Sequence, residues 1–87
     1  MPMWWLSFCD PKQPKGQQFT GVAIVEAATL RAAITRSWQT GCNPGGEVQA
    51  TALPEMDAIP EDRAAALAAT PFDTLMDMAE LQRRNLL

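Results

Sequence analysis

Trp4 and Trp5 sit side by side in a stretch, Met3-Trp4-Trp5-Leu6-Ser7-Phe8-Cys9, that alternates like a β-strand. Neighbouring residues on a strand point to opposite faces of its sheet. Two adjacent tryptophans therefore commit both faces: Trp4 goes with Leu6 and Phe8, and Trp5 with Met3, Ser7 and Cys9. One of the two, together with Trp38, is expected to fill a core beneath a helix. The other must lie under further helices, at an interface or on a binding surface.

The pattern after this strand predicts a small α+β domain. Asp10 to Gln18 holds two prolines and a glycine and reads as a loop. Phe19 to Glu26 is rich in Val and Ile and reads as a second strand, antiparallel to the first, with Gly21 marking a bulge or a close backbone approach. Thr29 is placed to cap a helix whose apolar face is Leu30, Ala33, Ile34, Ser37 and Trp38. Gly41 is placed to end that helix in the left-handed conformation, with Cys42 as its apolar contact. After the turn Asn43-Pro44-Gly45-Gly46, residues Glu47 to Leu53 alternate as a third strand that Pro54 stops.

From Pro54 the composition turns acidic and alanine-rich. Pro60 is expected to be the first residue of a helix running to about Ala69. Thr70-Pro71-Phe72-Asp73 resembles a capping box opening a last helix, with Phe72, Leu75, Met76 and Ala79 on its apolar face and Arg83 and Arg84 at its C-terminal end. The expected order is β-β-α-β-α-α: a three-stranded sheet packed by helices on at least one face. One domain is expected over residues 1–87, with a strand–helix–strand core over 1–53 and an acidic helical tail over 54–87 packing on it. A chain of 87 residues has a thin core. Residues 1–53 hold all three tryptophans and the tail few large side chains, so a homo-oligomer, a dimer or larger, is expected to complete the core.

Several function classes are disfavoured. Histidine is absent, which removes Ser-His-Asp and Cys-His nucleophiles and every His-bearing zinc site. Cys9 and Cys42 cannot make an ordinary four-ligand zinc site alone and read as two reduced, mostly buried thiols, the alternative being a Cys9–Cys42 disulfide or a reactive thiol. Neither serine, Ser7 or Ser37, sits in a nucleophile elbow. No catalytic residue, metal or cofactor is expected, and the chain is not expected to be an enzyme. A net charge of −3 argues against general DNA binding. The opening residues lack a basic, then apolar, leader and no run of about 18 apolar residues occurs, so a cytoplasmic protein with no membrane contact is expected.

The charge is unevenly placed. Residues 1–43 hold Lys12, Lys15, Arg31 and Arg36 against Asp10 and Glu26, a net +2, leaving −5 on the rest. Such a molecule can dock an anionic ligand at one end or pair with itself. Glycines at 45 and 46 can turn backbone N–H groups toward an anion, although no Walker lysine follows and the turn comes after a helix C-terminus, whose partial charge opposes anions. The candidate ligand-binding residues are therefore Trp5 to stack on a base, Arg31 and Arg36 to meet phosphates, and the turn of Asn43, Gly45 and Gly46 to close the pocket.

Three segments, Trp4 to Asp10, Phe19 to Ala27 and Gly41 to Val48, resemble a group of small phage and prophage proteins over about the first 50 residues. The resemblance implies no activity or catalytic residue. It implies an accessory setting, in which such proteins bind a host protein or sequester a small molecule, as the anti-defence sponges for nucleotide signals do. The expected function is thus non-enzymatic binding of an anionic, nucleotide-like ligand. The alternative is inhibition of a host enzyme through a sheet edge or the acidic helices.

Overall fold

β1 (Met3–Cys9) is the central strand of a three-stranded sheet in the order β2-β1-β3, flanked by β2 (Phe19–Glu26) and β3 (Glu47–Ala52). Both neighbours run antiparallel to it, so β2 and β3 are parallel to each other with β1 between them. The computed structural model describes residues 2–86. The remaining elements are α1 (Leu30–Gln39), a single 3-10 turn (Met56–Ala58), α2 (Glu61–Ala68) and α3 (Met78–Arg83). The α+β order β-β-α-β-α-α expected from the sequence is the order observed.

The alternation in β1 divides the core in two. Leu6 and Phe8 pack with Ala23, Val25, Ala27, Ala33 and Cys42 on the face covered by α1, with Trp4 at its margin. Val22, Ile24, Ile59, Leu67, Met76, Leu81 and Leu86 fill the opposite face, with Trp5 packed against them. Both faces of the sheet are covered, one by α1 and the other by the segments from Ile59 to Leu86. Trp4 Nε1 donates to the Ala27 carbonyl at 2.9 Å, satisfying the one polar atom of a half-buried indole.

α1 begins where Thr29 accepts the Ala32 N–H on its side chain. It ends in a Schellman motif: Cys42 N–H donates to Ser37 O, Gly41 N–H to Trp38 O, and Gly41 has φ +79°. Cys42 is buried as the expected apolar contact. At Gly21 the register skips, since Phe8 pairs with Gly21 but Cys9 with Phe19. A Cβ on Gly21 would also stand 2.7 Å from the Met76 carbonyl oxygen, so the backbone approach is close as well.

Four expectations are corrected. Trp38 does not fill the core but is 59% exposed, because α1 rests on the sheet through the small residues Ala33 and Ser37. Residues 70–77 are not the start of a helix. Thr70 closes the end of α2 by donating its hydroxyl to Ala66 O, and Asp73 sits at φ +59°. Met76 forms an antiparallel bridge with Val22 on the outer edge of β2, and α3 starts only at Met78 with Asp77 as its N-cap. The unpaired backbone of β2 binds this segment more strongly than helical periodicity holds it. Pro60 stands one residue earlier than expected, as the N-cap of α2. β3 closes at Ala52, although Leu53 N–H still donates to Met3 O.

Candidate functional site

The residues expected to share a ligand pocket are spread over both faces of the molecule. Trp5 lies on the α2 and α3 side, and the guanidinium of Arg63 stands over its ring at 5.9 Å from the centroid. Arg31 and Arg36 are on α1, on the other face. Arg36 is already engaged by Asp73 in a bidentate pair, Nε to Oδ1 at 3.0 Å and Nη2 to Oδ2 at 2.9 Å. The hydrogen bond to Asp73, and then its charge, raise the Arg36 pKa above the ordinary arginine value. Arg31 is exposed and makes no ion pair among the described residues.

The 43–46 turn is held by its own bonds. Asn43 donates from Nδ2 to Ser37 Oγ at 3.1 Å and accepts the Gly45 N–H on Oδ1 at 2.8 Å, so both ends of its amide are used. Gly46 has φ +76°, and a Cβ there would collide with the Cys9 carbonyl oxygen. Gly45 and Gly46 do line an open cleft of about 540 Å³ with Lys12, Gln17 and Phe19. Asp10 lines it too, and its two carboxylate oxygens accept from Lys12 N–H and Gln13 Nε2. That cleft holds one lysine and one carboxylate, a poor cradle for a polyphosphate.

A different surface feature is more consistent in its chemistry. Leu30, Ile34 and Trp38 recur every four residues along one flank of α1 and line a groove of about 650 Å³ with Thr29, Arg31 and Thr35. Leu30 is 47% exposed and Trp38 59%. Arg36 leaves the opposite flank toward Asp73, whose N–H donates to Ile24 O on the outer edge of β2. At about 100° per residue, the Leu30–Ile34–Trp38 flank therefore leans the other way, across the sheet toward β3.

β3 is the open end of the sheet. Register places Val48, Ala50 and Ala52 on the α1 face, opposite Phe8, Leu6 and Trp4, while Glu47, Gln49 and Thr51 are on the other face. α1 packs over β2 and β1, so Val48 and Ala50 stay half-buried and Ala52 exposed. The Leu53 N–H bond to Met3 O sets the phase of the ladder: Glu47, Gln49 and Thr51 bond inward to β1. The backbone N–H and C=O of Val48, Ala50 and Ala52 therefore face outward, with no backbone partner among the described residues. The outer edge of β2, by contrast, is covered through Asp73 and Met76.

The sequence reading missed this flank because Leu30, Ile34 and Trp38 fall next to the truly buried Ala33 and Ser37 in the helical repeat. The paired small residues were the usable signal, since they let a helix lie close on a sheet and leave its larger neighbours outside. Among the described residues no three Cys, Asp or Glu side chains gather around a common point, and no helix is long and apolar enough to cross a membrane. No family model, curated protein or solved structure matches the chain.

Proposed function

We propose that this chain is a non-enzymatic protein-interaction module whose binding element is the outer edge of β3 together with the apolar flank of α1. The carrying observation is the row of outward backbone groups at Val48, Ala50 and Ala52, on the side of the sheet toward which the Leu30–Ile34–Trp38 flank of α1 leans. An extended segment adding there as a strand gains main-chain hydrogen bonds from the edge. It gains selectivity by placing alternate apolar side chains against that flank. Natural sheets guard free edges with lysine, proline or a bulge, and β3 holds none of these between Glu47 and Ala52. The resemblance of the first 50 or so residues to small phage proteins supports an accessory role, with a host protein as the partner.

Capture of a nucleotide-like ligand draws less support from this geometry. Trp5 is across the sheet from Arg31, Arg36 is paired with Asp73, and Asn43 is used in its own turn.

The test is affinity capture from bacterial lysate with the wild-type chain and with Ala50→Pro, which removes one outward N–H and none of the inward ladder. A protein retained by the wild type and lost from the folded variant, and then reproduced with purified components, supports the reading. Equal retention by both chains excludes the β3 edge.

A further inference from the structure

We infer that the segment seated on the β3 edge is the β3 of a second copy of this chain, paired antiparallel about a two-fold axis to give one continuous six-stranded sheet. This inference rests on the β3-edge reading above and names what covers that edge when no host protein is bound.

The phase of the edge is self-complementary. Val48, Ala50 and Ala52 all direct their backbone groups outward, so a two-fold antiparallel pairing can set Ala50 against the partner's Ala50 and Val48 against the partner's Ala52. Each facing pair then exchanges both of its hydrogen bonds. The side chains at these positions are small or β-branched and suit close cross-strand contact. Charge agrees with this orientation. Glu47 is the one ionised residue on β3, and a two-fold antiparallel pairing carries the two copies to opposite ends of the shared ladder. A parallel pairing would set them near each other.

The size of the exposed side chains on α1 fits the same arrangement. Strands are spaced about 4.8 Å apart, and α1 lies over β1 and β2, so two copies of α1 on the joined sheet stand roughly 19 Å apart. Directly packed helices are about 8–10 Å apart. The space between must be filled by long side chains reaching inward over Val48 and Ala50. Trp38, Leu30 and Ile34 point that way, and this is why a tryptophan is tolerated so far out of the core of one copy. The symmetry is closed, so the assembly stops at two.

Sedimentation equilibrium and light scattering on the full chain, from about 5 to 500 µM, test the assignment. A dimer is expected, with Trp38→Ser raising its dissociation constant at least tenfold and Ala50→Pro abolishing it. Phe72→Ser, on the β2 side, is expected to leave it unchanged. Near-ultraviolet circular dichroism reports whether each variant is folded. Amide exchange on the wild type covers the case in which Ala50→Pro fails to fold: protection at Val48, Ala50 and Ala52 must rise with protein concentration. A monomer throughout the range overturns the second copy but leaves the β3-edge reading standing if lysate capture is still lost in Ala50→Pro. A dimer that responds to Phe72→Ser, or not to Trp38→Ser, overturns it as well.

Discussion

Arg36 and Asp73, 37 residues apart, are joined by two parallel hydrogen bonds that tie α1 to the segment lying along the outer edge of β2. The pair reaches past the sheet edge, so it holds in place the backbone that covers that edge. Asp73→Asn keeps a residue tolerant of the left-handed backbone at φ +59° while removing the charge. Faster amide exchange at Asp73 and Met76 is expected, with the amides of β1 unchanged, measured by hydrogen exchange. The guanidinium is charged throughout the neutral range, so its share of the pair's stability is present there and is lost only as pH rises through its raised pKa.

Gly45 and Gly46 should respond differently to alanine. Both have positive φ, but nothing stands within 4 Å of a Cβ at Gly45, whereas at Gly46 it meets the Cys9 carbonyl. Gly45→Ala is expected to cost about 1 kcal/mol from backbone strain alone. Gly46→Ala should cost roughly 1–3 kcal/mol more, since β1 must shift as well. Urea denaturation curves of the two variants give the comparison.

Much of the fold could be read in the sequence because its signals are local. The alternation of Met3 to Cys9, the Thr29 cap, Gly41 and the breaking Pro54 each act within a few residues. Thr70 to Ala79 misled because its capping residues and apolar spacing meet every local condition for a helix. What decides its structure is the empty edge of β2, a partner about 50 residues away in the chain. The candidate site was hidden for a similar reason. Leu30, Ile34 and Trp38 can be told from core residues only once Ala33 and Ser37 are known to touch the sheet, and an open strand edge is a property of strand order, which no short segment encodes.

Phe8 has no exposed surface and anchors the α1 side of the core. Phe8→Ala is expected to cost about 3–5 kcal/mol. Small domains hold only about 5–15 kcal/mol in total, so a large drop in melting temperature is expected by calorimetry.

Trp4 tests a single hydrogen bond. Trp4→Phe keeps the aromatic ring beside the α1-side core but leaves the Ala27 carbonyl without its 2.9 Å donor. A loss of about 1 kcal/mol is expected in urea unfolding.

The thiols should differ in reactivity. Cys42 is buried with its Sγ 3.7 Å from Ser37 O, while Cys9 is partly exposed, and both are free. A disulfide reagent is expected to modify Cys9 first and Cys42 only as the chain unfolds, giving two kinetic phases in native buffer and one in denaturant.

Because β1 sends Leu6 and Phe8 to one side and Trp5 to the other, the sheet acts as a partition between two apolar compartments that share no side chain. Damage on one side is felt on the other only through the strand backbones. Paired substitutions across the partition, such as Val25→Ala with Leu81→Ala, should therefore combine nearly independently, whereas pairs within a compartment should not. A lineage carrying this fold is free to rework the packing beneath α1 without renegotiating the packing beneath α2 and α3. The positions that must answer to both are the few in β1 and β2 whose backbone forms the wall itself.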